Sequence, residues 1–174
     1  MSGKEQESPQ VEFARLVVES YVRKGTVPPA SEAAAELRGG KAGVFVTLKK
    51  RGKLRGCMGT VQPVKENVAE EIRGNAVSSV TFDPRFDAVT ADELGDLEYS
   101  VDVLEEPEDI AGIDELDTSV YGVIVRSGDR SGLLLPDLEG IDTPEEQVRI
   151  AMIKAGIHSD EPVLLQRFKI SRYK

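Results

Sequence analysis

One short pattern occurs twice in this chain, and it limits the folds that the chain can adopt. Gly43–Val46 (GVFV) is matched by Gly122–Val125 (GVIV), 79 residues further on. After each copy the sequence predicts a tight turn, a return strand, a proline-containing loop and an amphipathic helix. The match is compatible with chance, because a hairpin followed by a helix is common, and also with a duplication. We favour the duplication and predict an α+β fold of duplicated β-hairpin–helix units. These units form a barrel-like antiparallel sheet with flanking helices, in two tightly joined subdomains.

Periodicity and capping signals predict the individual elements. Helices are expected over 11–24, over 32–37 with Ser31 as cap, from Pro63 through an apolar stripe to Ala76, for one turn capped by Thr90 and Glu93, and from Pro144 to Gly156. Strands are expected over 43–48, 53–59, 97–104, 121–125, 132–135 and 163–173, and 105–118 is predicted to be a surface connection. Residues 1–10 are predicted to be a flexible N-terminus, and 11–174 a single domain.

Composition argues against several classes of protein. The 174 residues include one cysteine and one histidine. An internal disulfide is therefore excluded, a structural zinc site is not expected, and a cytoplasmic location is predicted. No apolar run of about 18 residues is present, so we expect no membrane-spanning helix and no membrane partner. The 31 acidic residues leave open a site that binds one metal ion through carboxylates, and no cofactor is assigned.

The single cysteine lies in the motif LRGCMGT, residues 54–60. On an extended strand, Arg55 and Cys57 share one face of the strand. Gly56 and Gly59 leave the backbone open to a ligand or to a second stretch of backbone. A thiol beside a fixed cation is compatible with a nucleophile whose pKa is lowered. It is equally compatible with a small buried side chain in a tightly packed strand.

A second polar motif, DPRF, spans Asp83–Phe86. One interpretation is structural, because Arg85 can pair with Asp83 in the loop. The other is functional, because Arg85 and Arg55 together match the geometry of a phosphate or carboxylate and would clamp a small anion. The structural ion pair is the favoured interpretation.

These motifs define the candidate site. The only histidine, His158, lies in a polar turn and is predicted to be solvated, so any catalysis would use an arginine-supported thiolate or a carboxylate base. The catalytic candidates are Cys57, Arg55, Asp83 and Arg85, and the ligand-binding candidates are Gly56, Gly59 and Thr60. At the offset of 79 residues, positions 55–57 correspond to positions 134–136, where the sequence is apolar.

Charge is unevenly distributed along the chain. Residues 88–174 contain 8 basic and 20 acidic residues, whereas 38–55 contain seven basic residues and no acidic one. The basic stretch is compatible with an anionic partner such as RNA, and also with a solvated hairpin tip. The pI of 4.8 and the aromatic content of 5% weigh against RNA binding.

Four segments, taken in order, resemble the AMMECR domain family. They are Gly43–Leu48, Leu54–Gly59, Asp83–Phe86 and the helix that begins at Thr143. Its bacterial and archaeal branch is called AmmeMemoRadiSam system protein A. The resemblance covers nearly the whole chain after residue 10, with Met58 standing where the family more often has isoleucine. It implies an α+β fold with a duplicated sheet-and-helix arrangement and a cleft near the cysteine motif. It also implies genomic association with a Memo-like protein and a radical SAM protein.

Three functions are compatible with these observations. The first is an enzyme or an enzyme-accessory subunit that works with Memo-like and radical SAM proteins. The second is a non-catalytic protein-interaction module that presents the same residues to partners. The third, which composition disfavours, is an RNA-binding protein. We expect the first, and the sequence does not identify a reaction or a substrate.

Overall fold

The structure is a computed structural model that describes residues 6–174, and it divides into two compact units. Unit 1 contains the described residues up to Val103 together with Ser171–Lys174, and unit 2 contains Leu104–Ile170. The strands are β1 (Val44–Lys50), β2 (Lys53–Gly59), β3 (Leu97–Leu104), β4 (Glu108–Ile110), β5 (Gly122–Ser127), β6 (Arg130–Leu134), β7 (Leu164–Phe168) and β8 (Ile170–Tyr173). The α-helices are α1 (Pro9–Lys24), α2 (Val68–Thr81) and α3 (Pro144–Ala155). Short 3-10 turns are Ala30–Glu32, Ala35–Arg38, Ala91–Asp96 and Ile113–Glu115.

The predicted α+β class is confirmed, and its antiparallel strands form two four-stranded sheets. The strand order is β2-β1-β3-β8 in the first sheet and β4-β7-β5-β6 in the second. Each sheet contains one hairpin, β1–β2 or β5–β6, which is followed in the chain by a packed helix, α2 or α3. The predicted pair of hairpin–helix units is therefore present as two separate sheets.

In unit 1, helices α1 and α2 pack together and cover one side of the first sheet. Alternate residues of the central strands, including Val46 and Leu48 of β1 and Val101 of β3, are fully buried in that core. Helix α1 begins at a serine cap and ends where Gly25 adopts a left-handed φ of 69°. The opposite side of the sheet carries the residues between these core positions.

In unit 2, helix α3 packs on the hairpin formed by β5 and β6. The predicted start and end of this helix are confirmed: the Thr143 side chain accepts a hydrogen bond from the Glu146 backbone, and Gly156 ends the helix with a φ of 69°. Val148 and Met152 are buried in the core of unit 2, whereas Ile153 is 62% exposed and lies outside it.

Helix α2 begins later than predicted, at Val68 and not at Pro63. The side chain of Asn67 caps the helix, and the backbone N–H groups of Val64 and Lys65 donate to Glu71. Because the residues after the proline already have a side-chain acceptor, they form a loop that leaves Val64 69% exposed.

Three other predicted elements differ from the structure by more than their end residues. The helix expected over 32–37 is two separate 3-10 turns, and the connection 105–118 contains the short strand β4 and a 3-10 turn. The strand expected over 163–173 is interrupted at Lys169, where the chain leaves the second sheet and enters the first. The prediction for residues 1–10 falls partly outside the described residues, and α1 begins at Pro9. Within residues 6–174, we find no helix long and apolar enough to cross a membrane.

Candidate functional site

The register of the first hairpin places Cys57 directly opposite Thr47. The Thr60 N–H donates to the Val44 carbonyl at 3.0 Å. Since hydrogen-bonded and non-hydrogen-bonded pairs alternate along an antiparallel ladder, Thr47 and Cys57 form a non-hydrogen-bonded pair. Side chains in such a pair lie close together, and the Cys57 thiol is 3.1 Å from the Thr47 hydroxyl oxygen. The thiol therefore belongs to a polar pair on the side of the sheet opposite the helices.

The backbone of Cys57 points away from β1 and meets the loop that follows α2. Its N–H donates to Oδ2 of Asp83 at 3.0 Å, and its carbonyl accepts from Nη2 of Arg85 at 3.4 Å. The DPRF loop and the cysteine motif, which are well separated in sequence, are thus in direct contact. The structure brings together three of the four predicted catalytic candidates.

Asp83 is held by hydrogen bonds on both carboxylate oxygens. It is 3% exposed, and besides the Cys57 N–H it accepts from the Arg85 side chain at 2.7 and 3.0 Å and from the Arg85 backbone at 3.1 Å. The Arg85 guanidinium holds the pKa of Asp83 far below its usual range. This carboxylate is ionised and fully engaged, which makes it a poor proton acceptor.

Arg55 lies at a β-bulge and binds a different carboxylate. Lys49 pairs with Leu54 and Leu48 pairs with Gly56, so Arg55 is an extra residue in β2. Its guanidinium donates to Glu93 at 2.9 and 3.1 Å and to the carbonyl of Asp87 at 2.9 Å.

The salt bridge to Glu93 has consequences for both the carboxylate and the predicted clamp. Arg55 lowers the pKa of Glu93 to about 2, and Lys50 also donates to this carboxylate at 3.0 Å. The two arginines of the predicted anion clamp are therefore each paired with a carboxylate. Both guanidinium groups also lie within 6 Å of the Phe86 ring, at 5.9 Å for Arg55 and 5.5 Å for Arg85.

The electrostatic surroundings keep the thiol of Cys57 protonated. Burial raises its pKa above the usual value, and the opposing effects of the Thr47 hydrogen bond and of Arg85 are smaller. The cation that acts on the thiol is Arg85, and not the Arg55 that the strand pattern suggested. The site thus contains a neutral thiol beside a hydroxyl.

The two glycines of the motif are explained by close packing. A Cβ atom on Gly56 would lie 2.3 Å from the carbonyl oxygen of Ser79 in α2, and one on Gly59 would lie 2.4 Å from the Phe45 ring. Thr60 donates from its hydroxyl to Glu71 at 2.8 Å. These contacts give the three predicted ligand-binding positions a role in holding the hairpin against its surroundings.

Sequence reasoning missed four residues that build this region: Thr47, Glu71, Ser79 and Glu93. The Ser79 hydroxyl donates to the Val46 carbonyl at 2.8 Å and accepts from the Met58 N–H at 3.0 Å. The buried carboxylate of Glu71 is 1% exposed. The hairpin pattern could not place Thr47 opposite the cysteine, because the bulge at Arg55 shifts the register by one residue. Glu93 was recognised as a cap and not as the partner of Arg55.

Other predicted features are not part of this cluster. His158 is an exposed residue of unit 2 whose backbone N–H donates to Glu161. Within residues 6–174, no group of three or more His, Cys, Asp and Glu side chains is placed to hold a metal ion. A shallow groove of about 500 Å³ lies at the start of α2 and includes none of the candidate residues. Its walls are Lys41, Pro63, Val64, Lys65, Glu66 and Glu70.

The basic stretch over 38–55 is partly neutralised by a neighbouring acidic turn. Lys50 and Arg55 both pair with Glu93, and Arg51 pairs with Asp96 at 3.1 Å. Unit 1 contains 16 basic and 16 acidic residues in the sequence, so the net charge of −9 comes from unit 2. This balance weakens the argument for an RNA-binding face.

Comparison with known proteins agrees with this architecture. The structure defines an α+β protein of two hairpin–helix units with a cysteine-bearing edge strand. The model of the AMMECR1 family matches residues 11–174, and the chain belongs to this family.

Relatives and a solved structure support the assignment. A protein of Thermotoga maritima is 53% identical over 171 residues, which covers 97% of this chain and 98% of that protein. A protein of Clostridium acetobutylicum is 48% identical over 177 residues, but this chain spans only 37% of its length. The crystal structure of an uncharacterized protein from Pyrococcus horikoshii, 31% identical, has a TM-score of 0.85 and covers 96% of this chain and 91% of that chain.

Proposed function

We propose that this chain is an enzyme-accessory protein that works with Memo-like and radical SAM proteins, and that the surface around Cys57 binds a group of its partner without covalent chemistry. The observation that carries the proposal is the state of the thiol. Burial raises the pKa of Cys57, and the two carboxylates whose charge acts on the thiol, Asp83 and Asp102, are paired with Arg85 and Arg172 respectively. A protonated thiol with no free base beside it favours binding over nucleophilic attack.

The same surface offers donors to an acceptor group. Arg85 uses Nε and Nη2 on its contacts, while Nη1 has no hydrogen-bond acceptor among residues 6–174. Its side chain is 54% exposed. Together with the Cys57 thiol and the Thr47 hydroxyl, it suits a carboxylate or another small anionic group on the partner.

The first test is the pH dependence of alkylation of Cys57 by iodoacetamide in the native protein. We expect an apparent pKa above the ~8.5 of a free cysteine. A pKa well below that value would overturn the binding-only role, because it would reveal an activated thiolate.

The second test measures binding of the chain to purified Memo-like and radical SAM proteins. Arg85→Ala is expected to weaken binding at least about tenfold, since a charge-assisted hydrogen bond is lost. Cys57→Ser, which keeps a small donor, should bind nearly as well as the native chain. Arg149→Ala is the matched control, because Arg149 is an exposed arginine that pairs with Glu146 in α3 of unit 2. Equal binding by the Arg85 and Arg149 variants would contradict the proposed surface.

A protein-interaction module without any effect on an enzyme is the alternative function. It predicts the same binding results but no change in the partner's turnover when the chain is added. Measuring the turnover of the radical SAM protein with and without the chain separates the two functions. Stimulation that is lost in the Arg85→Ala variant would favour the accessory role.

A further inference from the structure

Strand β2 lies at the edge of the first sheet, next to β1 only. An edge strand presents outward N–H and C=O groups, which are a template for pairing with another strand. Because Thr47 and Cys57 form a non-hydrogen-bonded pair, both backbone groups of Cys57 point outward from this edge. Cys57 is therefore one of the positions at which a further strand would attach.

Both outward groups of Cys57 are occupied by the segment 83–87, which we call the edge strap. Its Asp83 carboxylate accepts the Cys57 N–H at 3.0 Å, as a carbonyl of a neighbouring strand would. Its Arg85 guanidinium donates to the Cys57 carbonyl at 3.4 Å, as a neighbouring N–H would. A third contact, from Arg55 to the Asp87 carbonyl at 2.9 Å, holds the far end of the strap.

The strap is closed by a backbone hydrogen bond of its own, and the chain just beyond it is hydrogen-bonded to the backbone of α2. The Phe86 N–H donates to the Asp83 carbonyl at 3.2 Å, and beyond the strap the Val89 N–H donates to Val80 at 2.8 Å. Asp83 itself is 3% exposed, although a buried carboxylate is costly unless its oxygens are hydrogen-bonded. The strap thus places a charged pair in a fixed position against the strand edge.

The second hairpin has a related feature. In unit 2, Leu133 lies opposite Ile124 in edge strand β6, in the arrangement that Cys57 and Thr47 have in unit 1. The Leu133 carbonyl accepts from Nζ of Lys154 at 3.0 Å. In both hairpins a cationic side chain covers the outward carbonyl of the edge strand at the same place.

We propose that the edge strap prevents β2 from pairing with β2 of a second copy of this chain. An antiparallel pair centred on Cys57 is two-fold symmetric, so each copy supplies the same surface. In that register Arg55 of one copy would lie opposite Gly59 of the other, and no like charges would be directly opposed. Such a pair would satisfy the outward groups of both Cys57 residues.

The test removes the two side chains that cap Cys57. The double variant Asp83→Ala/Arg85→Ala is compared with the native chain and with Glu146→Ala/Arg149→Ala, which removes an exposed ion pair from α3. In dilute solution, hydrogen exchange of the Cys57 amide should become faster by at least about tenfold in the strap variant. At higher concentration, light scattering should detect dimers in the strap variant alone.

Cys57 serves as the reporter of the interface. Paired residues of antiparallel strands have Cα atoms about 5.5 Å apart, within the range of a disulfide. Diamide should therefore link the two Cys57 thiols of the dimer: each thiol loses a proton and an electron, and diamide takes up both electrons and both protons. A strap variant that stays monomeric with a native circular dichroism spectrum, or whose dimers do not cross-link, would overturn the proposal.

A milder variant keeps the proposal testable if the double variant does not fold. Arg85→Ala leaves the buried Asp83 and its bond to the Cys57 N–H in place, so we expect a smaller but measurable dimer fraction with the same cross-link. Absence of cross-linked dimers in a folded Arg85→Ala protein would then contradict the strap. Binding to Memo-like or radical SAM proteins does not enter this test, so its outcome is independent of the proposed function.

Discussion

The two hairpin–helix units share a set of contacts, yet only one of them carries polar chemistry. In unit 1 the Asn75 side chain of α2 donates to the Val44 carbonyl at 2.9 Å, and in unit 2 the Gln147 side chain of α3 donates to the Tyr121 carbonyl at 2.9 Å. In both cases the side-chain amide of a helix residue donates a hydrogen bond to a backbone carbonyl at the start of the hairpin.

A second shared contact is a close approach between strand and helix. One turn beyond each amide, a helix carbonyl lies against a glycine of the return strand: Ser79 against Gly56, and Ala151 against Gly132. A Cβ atom on either glycine would lie within 2.3 or 2.1 Å of that carbonyl oxygen, respectively. The geometry of strand and helix is therefore equivalent in the two units.

These contacts correct the alignment suggested by the repeated sequence. Gly56 corresponds to Gly132 and not to a residue 79 positions later, so Cys57 corresponds to Leu133. The pair Thr47–Cys57 is replaced by Ile124–Leu133 in unit 2. The polar pair is therefore a local substitution, since unit 2 forms the same hairpin and helix without it. An origin by duplication stays a prediction.

The largest effect is expected from substitutions that break the close approach between helix and return strand in each unit. Gly56→Ala and Gly132→Ala each force the helix away from its hairpin, and each should lower the free energy of unfolding by about 3 kcal/mol. Urea unfolding measures the loss, and hydrogen exchange in α2 and α3 shows which unit is affected. Gly95→Ala is the control, because nothing lies within 4 Å of its Cβ position. A mild effect at only one of the two sites would show that the packing is not equivalent.

Glu71 has no counterpart among the shared contacts, and its removal should affect unit 1 alone. Glu71→Ala leaves the Thr60 hydroxyl and two backbone N–H groups without their buried acceptor, so we expect a loss of about 2 to 3 kcal/mol in urea unfolding. Glu70→Ala, which removes only a half-exposed pair with Arg73 at 3.6 Å, should cost less than about 0.5 kcal/mol. Similar losses for the two variants would contradict the role given to Glu71.

Acid should weaken unit 1 through Glu93. Its pKa falls from 4.5 to about 2 on folding, so the stabilisation is complete above pH 4.5 and is lost as the pH falls toward 2. With allowance for solvent screening, this contribution is about 2 kcal/mol at pH 7. Glu93→Gln should therefore reduce the difference between urea unfolding at pH 7 and at pH 3. Glu145→Gln, at an exposed residue of α3 in unit 2, should leave that difference almost unchanged.

The smallest expected effect is the difference in stability loss between substitutions of the two side-chain amides, Asn75 in α2 and Gln147 in α3. Asn75 donates to both Val44 and Thr60, whereas Oε1 of Gln147 is buried with no hydrogen-bond partner among the described residues. We expect Asn75→Ala to cost about 2 kcal/mol and Gln147→Ala about 1 kcal/mol in urea unfolding. Gln166→Ala, which removes an exposed hydrogen bond from the Gln166 side-chain amide to Asp109, is the control. A larger loss at Gln147 than at Asn75 would reverse the comparison.

The sequence predicted the elements whose signals are local. The bounds of β2 and β3, the cap at Thr143 and the stop at Gly156 agree with the structure, because alternation and capping act within a few residues. The predicted start of α2 was wrong because Pro63 and Val64 resemble the beginning of a helix. In the structure the Glu71 carboxylate accepts the N–H groups of the residues after Pro63, and local sequence signals do not reveal this contact.

The structure shows contacts between the candidate residues, and most of these contacts were not predicted from the sequence. The ion pair of Asp83 with Arg85 was the favoured interpretation of the DPRF motif, and these residues are indeed paired. The contact of this pair with the Cys57 backbone and the bulge that directs Arg55 to Glu93 depend on the tertiary fold, so periodicity could not predict them.

The division of unit 1 between two distant parts of the chain has a consequence for biosynthesis. Strand β8 pairs at the end of the first sheet, where Arg172 donates to the buried Asp102 at 2.8 and 3.2 Å. A ribosome adds residues 171–174 only after it has translated all of unit 2. The first sheet therefore lacks a strand during most of translation, and the second unit can be completed before the first.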